Sequence, residues 1–214
     1  MKIYLDLDGT LINVFERYAG IFNQYGKRFG VKVSVEEYKK LRQGGYSDNE
    51  ILERKFGIFN QKQDLVKWKH SQLEQKEWLK KDTFIGQPEK LMKYDCALAI
   101  ITQRRNKENA LWQIGMLSLN RIFEEIIVLD PLKDKNSKYM YLKEKVNKQD
   151  SIIGDSPLEL ECARLLGIRG YFVKTGLFGE QIVHGGTIKN TYLECIEEIL
   201  SESYQYTLNR PEIL

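Results

Sequence analysis

Two aspartates one residue apart, Asp6 and Asp8 in DLDGTL (residues 6–11), close a short apolar start, KIYL (2–5). Two carboxylates followed by glycine and threonine are an odd way to finish an element bound for a core, and paired carboxylates are a known means of acid/base or nucleophilic chemistry. Asp-Gly after a strand is also an ordinary turn, so the pair alone carries little weight. It does not stand alone. Thr102 follows the apolar run ALAII (97–101), Asp155 follows SIIG (151–154), and Lys138 ends KNSK (135–138) just before the helical pattern YMYLKEK.

Side chains this far apart in sequence need a scaffold to gather them. Five short apolar runs read as strands: KIYL, ALAII, IIVL before Asp130, SII before Gly154, and YFV before Lys174. Between the later ones lie helical patterns starting at Asn106, Lys138 and Pro157, and a last one begins at Thr191. Alternation of this kind predicts an α/β fold with an open, mostly parallel, Rossmann-like sheet. Ligands of such sheets sit outside the carboxyl ends of the strands, where these polar residues fall.

Residues 13–88 break the alternation and read as helical throughout. Ile12, Phe15, Tyr18, Ala19, Phe22 and Tyr25 recur at helical intervals, a shorter pattern covers VEEYKKLRQGG, Ser47 and Glu50 stand in capping-box spacing, and LVKWKHSQLEQKEWLKK supplies a fourth segment. The division predicted is a core of residues 1–12 and 89–214 with an α-helical bundle, 13–88, inserted above Asp6 and Asp8. The loop RQGGYSD (42–48) reads equally as a segment dipping towards the site or as a helix C-cap followed by an N-cap.

Composition narrows the function. The chain has 214 residues, 42% of them hydrophobic, enough for a sizeable core. Its 33 basic and 30 acidic residues are interspersed, which disfavours a nucleic-acid partner. Three scattered cysteines suit reduced core thiols and a cytoplasmic setting, and no apolar run approaches the ~20 residues of a membrane helix.

Taken in order, DLDGTL, IITQR, KNSK and IIGDSPLE resemble the four motifs of the haloacid dehalogenase-like (HAD) hydrolase superfamily, in particular its phosphatases with a helical cap inserted after the first motif. The resemblance spans nearly the whole chain. It implies a phosphatase acting on a small phosphate ester, such as a phosphoglycolate-, sugar- or nucleotide-like metabolite. By it, Asp6 is the nucleophile, Asp8 the acid/base that protonates the leaving oxygen and later activates water, Thr102 a donor to the phosphoryl group, and Lys138 the motif lysine. Lys133 and Lys135 compete for that last role, Lys135 suiting a Lys-Pro spacing whose proline is absent. Magnesium suits a site offering hard oxygen ligands and no His or Cys cluster. The resemblance assigns it to Asp6, the carbonyl of Asp8, and Asp155.

Some residues depart from the pattern or stand outside it. Glu159 occupies a place where the family commonly has Asp, and it reads equally as metal support or as the capping-box partner of Ser156. Thr10 is expected to close the turn by hydrogen bonding, and Arg104 and Arg105 to lie in a solvated loop. Transfer to a second sugar site and a non-catalytic binding role are the competing functions.

Overall fold

The computed structural model describes residues 1–131 and 136–208. Each of the five apolar runs forms a strand because its side chains can be buried on both faces of a central sheet. β1 (Lys2–Leu5) pairs in parallel with β4 (Ala97–Gln103) on one side and β6 (Ser151–Gly154) on the other. β5 (Glu125–Leu129) extends the sheet beyond β4, and β7 (Arg169–Val173) beyond β6. A further strand, β8 (Thr187–Lys189), was not expected from the sequence; it adds to β7 and completes the order β5-β4-β1-β6-β7-β8. Three residues are too few for a period-two pattern, and only the exposed edge of β7 makes them a strand.

Alternation sorts the core. Ile3, Leu5, Leu98, Ile100 and Ile153 face one side, with Ile114 of helix α6 (Lys107–Met116) and Cys195, Ile196 and Ile199 of α9 (Tyr192–Leu208). Tyr4, Ala99, Ile101 and Ile152 face the other, with Leu142 of α7 (Ser137–Leu142) and Cys162 and Ala163 of α8 (Pro157–Leu166). The three cysteines are free, two of them buried. No helix among the described residues is long and apolar enough to cross a membrane.

Between β1 and β4 the chain is mainly helical, but not throughout. Two short strands, β2 (Ile12–Asn13) and β3 (Thr83–Phe84), pair antiparallel where the helical segment leaves the sheet and returns. Ile12 therefore belongs to a strand and not to the first helix. Helices α1 (Phe15–Gly26), α2 (Val35–Gln43) and α3 (Asp48–Phe56) follow the predicted patterns. The fourth segment splits into α4 (Lys62–Gln72) and α5 (Lys76–Leu79). At loop 42–48, α2 ends at Gln43 and Ser47 forms the α3 capping box; Gln43 also donates from Nε2 to the carbonyls of Lys174 and Gly176, both at 3.0 Å. The two readings of that loop coexist. The apolar residues of α1 to α4, including Phe22, Tyr38, Leu52 and Leu65, belong to the same buried cluster as Ile3 and Leu5 of the sheet.

Candidate active site

Asp6 is the first residue past β1, and its N–H donates to the Ile153 carbonyl at 2.9 Å, tying it to β6. A residue two places on would point to the opposite face of a continuing strand. The chain bends instead. Leu11 and Ile12 donate back to the Leu7 carbonyl, Gly9 donates to Ile12, and Gly9 adopts φ +74°, a conformation that favours glycine. A Cβ on Gly9 would also stand 2.4 Å from Asp155 Oδ2. Thr10 plays no hydrogen-bonding part in this turn: its hydroxyl is buried with no partner among the described residues. Backbone bonds already close the loop.

Asp6, Asp8, Thr102, Lys138 and Asp155 all line one cavity of about 230 Å³ at the carboxyl ends of the central strands. Thr102 lies within β4 and is buried. Lys138, in the first turn of α7, reaches Asp6 Oδ1 at 2.6 Å and Glu159 Oε1 at 2.5 Å. Lys133 and Lys135 fall outside the described residues. Glu159 does cap its helix: Oε2 accepts from the Ser156 N–H at 3.2 Å and the Ser156 hydroxyl at 2.6 Å, while Oε1 takes the lysine.

The loop after β7 completes the wall, and the sequence reading missed it. Thr175 donates from Oγ1 to the Gly9 carbonyl at 2.5 Å, and the Leu177 N–H donates to Asp155 Oδ2 at 3.0 Å. A Cβ on Gly176 would sit 1.7 Å from Asp155 Oδ2, so only glycine lets this loop pass so near. The run Thr175-Gly176 after a strand was the available signal.

Burial pushes the Asp6 carboxyl up to about 6 against the pull of Lys138. Asp155 is raised well above the usual range by burial, then by Asp6 and Glu159. Burial opposes ionisation of Glu159 too, but Lys138 brings it below its ordinary value. Asp6 and Glu159 share the Lys138 ammonium, and repulsion from those two groups adds to the burial that raises Asp155, a strain that a divalent cation between Asp6 and Asp155 would relieve. Among the described residues no three His, Cys, Asp or Glu side chains are grouped as a metal cage. A set of two carboxylates and one main-chain carbonyl requires no such group.

Asp8 has different company. Its Oδ2 pairs with Arg17 of α1 at 2.9 Å and its Oδ1 with Arg104. Burial works against its ionisation, and the two guanidiniums outweigh it and hold the carboxyl below its ordinary value. Arg104 is 4% exposed, not solvated as expected, because Asp8 draws it inward; Arg105 beside it is exposed. Tyr18 of α1 also lines the cavity.

The family profile described as haloacid dehalogenase-like hydrolase matches residues 3–173. The chain belongs to that family. The match takes in all of β1 but Lys2, all five predicted site residues and the intervening helical segment. Against curated protein sequences no significant match was found. Among solved structures, a haloacid dehalogenase-like family hydrolase from Streptococcus pneumoniae superposes with TM-score 0.68 at 20% identity, covering 92% of this chain and 97% of the other. The predicted phosphoglycolate phosphatase of Haemophilus somnus gives TM-score 0.64 at 16% identity, covering 92% and 96%. Protein tyrosine kinase A of Mycobacterium tuberculosis gives 0.70 at 17%, covering 92% and 97%. At these identities the likeness establishes a shared HAD fold.

Proposed function

We propose that this HAD hydrolase is a magnesium-dependent phosphatase, acting on a small phosphorylated metabolite through an aspartyl-phosphate on Asp6. The observation carrying this reading is the pairing of Lys138 with Asp6 at 2.6 Å inside a small cavity that Asp8, Thr102 and Asp155 also line. A carboxylate at a strand end, charge-balanced by a lysine and aimed into a cleft, is equipped for attack on phosphorus.

In the first step an Asp6 oxygen forms a bond to phosphorus as the bond to the leaving oxygen breaks. Asp8 gives its proton to that oxygen. In the second, water attacks the phosphorus, Asp8 takes the water's proton, and inorganic phosphate leaves with Asp6 restored. Lys138 offsets charge on Asp6 and the incoming phosphoryl oxygens, and the Thr102 hydroxyl donates to one of them. Asp6, the Asp8 carbonyl and Asp155 would hold the magnesium. When bound, the ion reduces the repulsion between an anionic ester and an anionic nucleophile. Residues 13–88 act as a cap that excludes water and contacts the leaving group, with Tyr18 facing the cavity from α1.

A cavity of about 230 Å³ lies below the usual ~300–1,000 Å³ of drug-sized sites, which favours a small ester. Phosphate release from p-nitrophenyl phosphate and a panel of phosphorylated metabolites, with and without magnesium, tests the reading. Magnesium-dependent release that Asp6→Asn abolishes is expected. Magnesium binding with no turnover across the panel would indicate a binding protein, and isomerised ester without free phosphate a mutase.

A further inference from the structure

Behind Asp8 the charged groups close on themselves. Arg17 holds Asp8 Oδ2 at 2.9 Å and, through Nε, Asp82 Oδ2 at 3.1 Å. Asp82 accepts from Gln113 Nε2 at 2.7 Å, Gln113 Oε1 accepts from Arg104 Nη2 at 3.2 Å, and the same Nη2 returns to Asp8 Oδ1. The five residues come from the β1 loop, α1, the approach to β3, the end of β4, and α6. Arg17, Asp82 and Gln113 are all at most 3% exposed, and none of them lines the cavity.

Three buried charges with no access to the pocket, Arg17, Asp82 and Arg104, are expensive to keep as mere filling, because well-packed apolar side chains of similar volume often stabilise as much or more. Their geometry serves one exposed point. Within the ring Asp8 alone reaches the cavity, its side chain 21% exposed, and both of its oxygens are held from behind. A carboxylate has about four acceptor sites, so two guanidinium contacts fix its orientation and leave other lone pairs free.

We propose that Arg17, Asp82, Gln113 and Arg104 are positioning residues that orient Asp8 for proton transfer to the leaving group. The proposal rests on the phosphatase reading. The departing oxygen carries away the electron pair of the broken P–O bond, and an alkoxide must receive the Asp8 proton as it goes. p-Nitrophenolate is a stable anion and leaves without it. Misplacing Asp8 therefore penalises alkyl esters and spares the aryl ester, whereas general damage to the fold penalises both.

The test compares kcat/KM, which reports the steps up to phosphoryl transfer, for glycerol phosphate and p-nitrophenyl phosphate in wild type and Asp82→Asn. Asp82→Asn keeps the shape and removes the charge that anchors Arg17. We expect a fall of about 100-fold for the alkyl ester, at the low end of general-acid effects, and of less than about threefold for the aryl ester. Arg104→Lys keeps a cation but shortens its reach, and shows the same selectivity with a smaller loss; it carries the test if Asp82→Asn does not fold. Equal losses on both esters, or an undiminished alkyl rate, would overturn the proposal while leaving the phosphatase reading intact. A wild-type protein inert to both esters and to the whole metabolite panel overturns the reading and the proposal together.

Discussion

Lys138 is one ammonium serving two carboxylates, Asp6 and Glu159, and all three side chains are buried. Removing it leaves both uncompensated, so Lys138→Ala is expected to cost about 3–5 kcal/mol of stability, read from denaturant unfolding, and at least ~100-fold in phosphatase kcat. Lys138→Ala with wild-type stability would contradict this account of the pair. Asp82 makes a pH prediction. Burial, opposed by Arg17, raises its carboxyl to about 7 in the folded protein, against an ordinary value of 3.8. Above pH 7 the carboxyl is ionised in both states and the fold bears the full cost of the buried charge. As pH falls from about 7 towards 4 the folded protein takes up a proton that the unfolded chain does not, so this group's contribution to stability rises. Unfolding free energies at pH 8 and pH 5 should therefore differ between wild type and Asp82→Asn, with wild type gaining more, on the order of a few kcal/mol, at the lower pH. Asp6 and Lys138 were readable because each is a charged side chain at a strand or helix end. Arg104 was misread because a charged residue next to an exposed one looks solvated until a partner 96 positions away pulls it in.

At the scale of elements, the site depends on loops that approach one another without side chains between them. Gly176→Ala places a methyl group into Asp155, and is expected to abolish activity and to destabilise by about 1–3 kcal/mol, visible as a lowered melting temperature. The α8 start combines Ser156, Pro157 and Glu159 in a capping box. Ser156→Ala should cost about 1 kcal/mol. It also loosens the Glu159 carboxylate that holds Lys138, so the loss of activity should exceed what that destabilisation alone explains. The sequence showed α8 and its cap because both are local, within four residues. It hid β2 and β3, whose two-residue lengths carry no period, and whose pairing joins positions about seventy residues apart.

For the whole molecule, the buried cluster running from Leu5 through Phe22 to Leu65 makes the sheet and the inserted helices one packing unit. Unfolding should be a single transition: far-ultraviolet dichroism and the fluorescence of Trp68, Trp78 and Trp112, which sample both the insert and α6, are expected to give coincident midpoints. Separate midpoints would mean that the shared core does not couple the two parts. The five central strands and the helices between the later ones, the acidic pair, and the placing of Thr102 and Asp155 at or next to strand ends were determined by sequence alone, since periodicity and turn chemistry act over a few neighbouring residues. Tertiary structure decided that Glu159 would face Lys138 as well as Ser156, that Arg17 and Arg104 would grip Asp8, and that a glycine loop after β7 would lie on Asp155. Each of these joins residues from different elements, and a buried charge acquires its partner only when packing leaves it no water to turn to.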